Sequence, residues 1–293
     1  MRKILSGVFP YTFLIPALSI LGLVSIYSVF FAFRLSFFSW KLGTPWSTAD
    51  FVGFRNYFDI FQSGSFYKCL QVTLIFVGCS VVFEFAIALG LALLLEKPLR
   101  GLSIFRSLFI LPMMISPVVV GLVWFCLYDP LFGMINYLLG EVGIGPKMWL
   151  ASGSLALPSI IIADIWQWTP FCFLLLLAGL QTLPAEPMEA AIVDGASSFQ
   201  VTTRIKLPLL RPVIGVVILL RLIDAFRVLV VVFLMTFGGP GRETEILSLH
   251  TYKMAFVSQR LGMGSSLAFI LLAIVLVFAV VLICLTRMAE PEV

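Results

Sequence analysis

Long apolar runs alternate along the chain with short polar segments marked by glycine and proline. Crossing a hydrocarbon core about 30 Å thick takes roughly 20 mostly apolar residues per helix. Six runs satisfy this: Phe9 to Phe33, Lys68 to Leu95, Phe105 to Tyr128, Pro158 to Leu183, Pro212 to Phe237 and Met263 to Thr286. Backbone groups inside lipid must be satisfied within their own segment, so the pattern predicts six transmembrane helices and an all-α membrane protein. Arg2 and Lys3 precede the first run as they would in a signal peptide, but the run is too long for a cleavable core and has no convincing cleavage site. It is expected to remain as an anchor. Gly238-Gly239-Pro240-Gly241 is expected to end the fifth span abruptly, since neither residue type continues a helix cheaply.

Composition agrees. The chain is 61% hydrophobic and 12% charged, with a mean hydropathy of +1.10, whereas soluble domains are about 45–50% apolar and about 25% charged. The 19 basic and 15 acidic residues leave a net charge of +4 and are scattered, so no nucleic-acid partner is expected. With the N-terminus inside, Arg2, Lys3, Lys97, Arg100, Arg106, Arg204, Lys206, Arg211 and Arg287 fall in inner segments, and about eight basic residues in longer outer loops. That density favours cytoplasmic N- and C-termini. The tail from Arg287 to Val293 is too short for a domain, so 1–293 reads as a single transmembrane domain with its function in the membrane or its loops.

The outer segment Arg34 to Tyr67 carries Trp40, Trp46, Phe51, Phe54, Tyr57, Phe58 and Phe61. It is read either as an aromatic belt at headgroup depth or as a docking surface for an external protein. Cys69, Cys79, Cys126, Cys172 and Cys284 lie in or beside apolar runs with no Cys-x-x-Cys spacing, and are read as small lipid- or helix-facing residues. His250 is the single histidine. No metal site and no catalytic residue are expected.

The longest inner loop, 184–211, reads PAEPMEAAIVDGASSFQVTTRIKLPLLR. Pro187 suits a first helical turn, Met188 to Val193 are helix-compatible, and Gly195 can adopt the left-handed conformation that ends a helix. Ser197 and Gln200 form a capping-box pattern, after which Phe199, Val201 and Ile205 lead to Pro208, expected to stop or kink the segment. The product is two short helices joined at a glycine elbow, presenting Met188, Ile192, Val193 and Phe199. Exposed apolar patches of this kind usually meet a partner.

Glu189-Ala190-Ala191, Asp194-Gly195 and Ile205-x-Leu207-Pro208 resemble the EAA loop of binding-protein-dependent ABC importer permeases. FVGFRNYFDIF at Phe51 to Phe61, DGAS at Asp194 to Ser197 and TFGGPGRETE at Thr236 to Glu245 are similar to the carbohydrate branch of that family, the maltose and glycerol-phosphate type. The resemblance implies a type I importer permease fold in the bacterial cytoplasmic membrane. It implies a second homologous permease, two ATP-binding subunits and an extracytoplasmic solute-binding protein as partners. In the loop, Glu189 would make polar contact with the ATPase, Ala190 and Ala191 would allow close approach, and Gly195 would form the elbow. Members of the family often place an Asp in the middle of the fifth span; here Val228 to Val232 is wholly apolar.

The chain has no Gly-x-x-x-x-Gly-Lys-Ser/Thr phosphate cradle. It is therefore read as a non-catalytic translocation subunit without a cofactor of its own, with ATP and Mg on the partner ATPases. Charges deep in a span are costly and mark function or internal pairing. Glu84, Asp164, Arg221, Asp224 and Arg227 are such residues, the last three spaced to share a helix face and pair. Asp164-Ile165-Trp166-Gln167-Trp168 combines aromatic faces with hydroxyl-binding groups and is a candidate sugar contact, or else a belt with a helix-helix hydrogen bond. An anionic substrate would instead make Arg221 or Arg227 its partner. A second reading is an ion-coupled secondary transporter using Glu84, Asp164 and Asp224. A membrane hydrolase would need a nucleophile-base pair or metal ligands, and the chain has one histidine, outside the spans, and no His-Glu-x-x-His motif.

Overall fold

The computed structural model describes residues 2–96 and 101–287. Of the basic residues expected in inner segments, Lys97, Arg100 and the side chains of Arg2, Lys3 and Arg287 lie outside the described residues, as does the tail beyond Arg287. The chain is almost wholly helical and divides into two compact units, one of residues up to Gly64 with Thr251–Ile270, the other of Ser65–His250 with residues from Leu271 onward.

In the first unit, α1 (Arg2–Leu35) runs into a two-stranded antiparallel ribbon, β1 (Phe38–Ser39) with β2 (Asp50–Phe51), and then α2 (Arg55–Gln62). Phe37 meets Phe54 edge to face and Tyr57 at a tilt, while Phe38 packs on Trp46 and Phe51. Asn56 pins the ribbon by donating to the carbonyls of Ser36 (2.9 Å) and Phe38 (3.1 Å). Part of the outer aromatic set is thus internal to this cap, while Phe51, Phe54 and Phe58 stay exposed.

The second unit holds α3 (Gly64–Leu94), α4 (Leu102–Met114), α5 (Pro117–Leu127), α6 (Met134–Glu141) and α7 (Ala156–Gln181). These are followed by α8 (Glu186–Val193), α9 (Ser198–Val201), a π-helical turn (Thr202–Lys206), α10 (Leu207–Arg227), α11 (Val230–Met235) and α12 (Leu247–Tyr252); the closing helix, α13 (Leu261–Arg287), belongs to the first unit up to Ile270 and to the second from Leu271. Its core is a seam of Ala88 and Ala92 from α3, Cys172, Phe173, Leu176, Leu177 and Leu180 from α7, and Leu210 and Val217 from α10. Close packing of α7 on α10 needs a glycine: a Cβ on Gly179 would lie 2.7 Å from Val213.

Four described helices are long and apolar enough to cross a membrane: Leu14–Leu35, Gly64–Leu94, Ala156–Gln181 and Leu261–Leu285. The other two predicted spans are broken. Within Phe105 to Tyr128, α4 and α5 meet at 95° because Ile115 and Ser116 are extended and Pro117 starts a new helix, the conformation a residue before proline prefers. Within Pro212 to Phe237, α10 ends at Arg227 and α11 begins at Val230. Pro208 neither stops nor kinks the chain. It sits in the first turn of α10, which continues from the π-turn, where a missing N–H costs little.

Candidate coupling surface and intramembrane site

The loop at 184–211 is an ordered pair of short helices. Pro187 stands in the first turn of α8, whose end is set by Gly195 at φ +83. There the Gly195 N–H donates to Ile192 (3.0 Å) and the Ala196 N–H to Ala191 (2.9 Å), satisfying carbonyls a helix end leaves open. Ser197 then caps α9 reciprocally: its hydroxyl accepts from the Gln200 N–H at 3.3 Å, and its own N–H donates to Gln200 Oε1 at 2.8 Å. From there α9, the π-turn and α10 follow without interruption. The segment is tied to the C-terminal end of α3 by Lys206 and Glu96, 2.6 Å apart and mostly buried.

Glu189, Ala190 and Asp194 are exposed on this surface and Ala191 is half-buried, while Ile205, Leu207 and Pro208 are half-buried at its root. Val193 and Phe199 are 87% and 77% exposed, and Ile192 is exposed as well. Met188 differs from expectation: it is half-buried and lines a recess with Leu93, Val201 and Lys206. What remains is a set of exposed apolar side chains beside a carboxylate, on short helices of which α9 leads without interruption into α10.

The C-terminal half of α10 carries Arg221, Asp224 and Arg227. Arg221 is 1% exposed and bonds three carboxylates from three helices. Its Nε and Nη2 both donate to Glu84 of α3 (Nη2 to Oε1 at 2.9 Å), Nη2 also donates to Asp164 of α7, and Nη1 donates to Asp224 one turn on at 3.2 Å. The Trp168 ring covers the guanidinium at 5.2 Å. Glu84 and Asp164 are 0% and 1% exposed. A guanidinium's planar fork suits this shared, multidentate role better than an ammonium would.

The sequence expectation for the charges therefore holds in part. Arg221 and Asp224 pair along α10 as spaced, but the main partners of Arg221 come from other helices. Arg227, at the end of α10, forms no ion pair among the described residues and is exposed. Trp166 does not join this group: it is 40% exposed and packs on Trp124 at 5.9 Å, because it is about 200° around α7 from Asp164. Its neighbour Trp168 shares the face of Asp164. Gln167 is buried and donates to the Ile115 carbonyl at 3.4 Å, meeting the α4–α5 break.

Both helix breaks meet at one place. Pro117, Gln167, Trp168, Asp224, Arg227 and Val228 to Val231 line a cleft of about 170 Å³, and α5 packs on α11 through Gly121, where a Cβ would lie 3.1 Å from Leu234. Hydropathy could not reveal this cleft, since the sequence is apolar through each break; Ser116-Pro117 was the one local signal.

Residues 85–293 match the family described as binding-protein-dependent transport system inner membrane component. This chain belongs to that family. As a member it is a permease subunit of an ABC importer, a translocation component and not an enzyme. The permease is 39% identical to the probable ABC transporter permease protein y4oQ of Sinorhizobium fredii over 271 residues, which are 92% of this chain and 87% of that one. It is 37% identical to the trehalose/maltose transport system permease protein MalF of Thermococcus litoralis over 79% of this chain and 78% of the relative. Its fold is that of a chain in the crystal structure of a bacterial alginate ABC transporter in complex with an alginate pentasaccharide-bound periplasmic protein, with a TM-score of 0.85 over 100% of this chain and 99% of that one, at 24% identity. The permease is an integral membrane protein of type I importer fold.

Proposed function

We propose that this permease forms half of the translocation pathway for a neutral sugar, oligosaccharide or polyol in a cytoplasmic membrane, and that it is driven by ATP hydrolysed on partner subunits. Its six spans are then the four long helices and the two broken ones, with both termini inside. Its partners are a second homologous permease, two ATPases holding ATP and Mg, and an extracytoplasmic binding protein that delivers substrate. The observation that carries this reading is the ordered α8–α9 pair. Its apolar ridge of Ile192, Val193 and Phe199 lies open, and its base runs rigidly into α10.

Movement of a docked ATPase would be transmitted as a rigid-body displacement of α8 and α9 to α10 and, through Arg221, to α3 and α7. Packed helices joined by such a hub respond by switching between discrete arrangements. Discontinuous helices at mid-membrane are where transporters commonly build substrate contacts. The cleft offers the Trp168 face, the Gln167 amide and the Asp224 carboxylate, which suits hydroxyl-rich, uncharged ligands. Arg221 is sealed by three carboxylates and is not open to an anion, which also supports a neutral substrate. The name of one relative points the same way, being that of a trehalose/maltose system.

Uptake by the reconstituted complex tests this. It should require ATP and persist with an uncoupler, and Gly195→Asp should abolish it while the chain still inserts. Uptake that survived the substitution and collapsed with the uncoupler alone would favour the ion-coupled alternative.

A further inference from the structure

Away from the coupling surface and the charged hub, the fold brings together three buried donors that the sequence keeps far apart. Cys69 lies in the second turn of α3, His250 lies in α12, and Glu245 lies just before α12. They are 0%, 4% and 4% exposed, and one donor atom from each falls within 4.8 Å of the other two. The junction is built by Thr73, whose hydroxyl donates to the Cys69 carbonyl at 2.7 Å and accepts the Leu247 N–H at 2.8 Å. The approach to α12 is fixed as well: Thr244 Oγ1 donates to the Gly239 carbonyl at 2.8 Å and lies 2.7 Å from Thr236 Oγ1. Within the cluster His250 Nδ1 and Glu245 Oε1 are 2.7 Å apart, and Arg242 Nε stands 4.0 Å from Glu245 Oε2.

We propose that Cys69, Glu245 and His250 form a binding site for one divalent transition-metal ion of the zinc type. One thiolate, one carboxylate and one imidazole are ligands that zinc accepts. Thiolate and carboxylate together cancel the charge of a divalent ion, so the loaded site is neutral, as burial demands. Loading displaces the protons that the donors carry. It also opens the His250–Glu245 contact, because two ligands at about 2.0–2.2 Å from one tetrahedral ion stand farther apart than 2.7 Å. With three protein ligands the fourth position is left to water. The ion ties α12 and the turn before it to α3, a structural role. No local pattern in the sequence signals this site, because its ligands share no spacing motif and come from separate segments.

The test is a titration of the full-length chain, purified in detergent and stripped with a chelator, with Co²⁺ alone. The site predicts one Co²⁺ per chain with a thiolate-to-cobalt absorption band, displacement by Zn²⁺, loss of the band in Cys69→Ser, and at least tenfold weaker binding in His250→Phe. X-ray absorption of the zinc-loaded wild type, which needs no variant to fold, should show one sulfur among nitrogen and oxygen neighbours. Absence of saturable binding, or a coordination shell without sulfur, would mean a hydrogen-bonded cluster only and would overturn the proposal.

Discussion

Arg221 is the residue on which the buried charge balance turns. Two nearly inaccessible carboxylates, Glu84 and Asp164, depend on its guanidinium, and removing one partner of a buried ion pair leaves the other charge uncompensated, at a cost of about 3–5 kcal/mol. Arg221→Met is therefore expected to lower the thermal midpoint of the detergent-solubilised chain strongly. Glu84→Gln keeps an acceptor for the guanidinium and should cost much less; equal losses would refute the shared-hub account. Asp129, in the turn after α5, accepts the N–H groups of Leu131 (2.9 Å) and Phe132 (2.8 Å), which hold its carboxyl below the ordinary value of 3.8. The sign follows: the turn's stabilisation is present above that ordinary value and is lost as pH falls through the lowered one. Proteolysis at this turn should rise in wild type only in strong acid, and already at neutral pH in Asp129→Ala.

At the scale of elements, legibility in the sequence tracks how local the cause is. The α8–α9 pair was readable because its devices act over three or four residues: Pro187 at the start, Gly195 at the elbow and Ser197 with Gln200 as the cap. The break at Ile115–Ser116 has one local sign, the Pro117 that follows it, whereas the break at Val228–Leu229 has none, since an apolar run looks the same whether or not its helix is continuous. The continuity of α10 through Pro208 was also misread, because a proline that cannot continue a helix from within is well suited to its first turn. Face assignments on α7 needed only the helical period: Asp164 and Trp168 share a face that Trp166 cannot. At Gly195 a Cβ would meet nothing within 4 Å, so substitution there costs only the left-handed backbone, about 1–2 kcal/mol. Gly195→Val should accordingly insert and purify normally yet uncouple uptake from ATP; aggregation instead would mean that the elbow serves folding.

At the scale of the molecule, the long-range pairings were invisible beforehand. Residues such as Glu84, Asp164 and Arg221 could be singled out as costly in a membrane, but their convergence on one guanidinium depends on how α3, α7 and α10 pack. The central claim is that the α8–α9 ridge is where force enters. Phe199 tests it most directly, because at 77% exposure its replacement removes no internal packing. Affinity purification of wild type and Phe199→Asp, expressed with the native neighbouring subunits, should recover the ATPase with the first and lose it with the second, at equal membrane levels and with the second permease retained. Undiminished ATPase recovery with Phe199→Asp and with Val193→Asp would contradict the account.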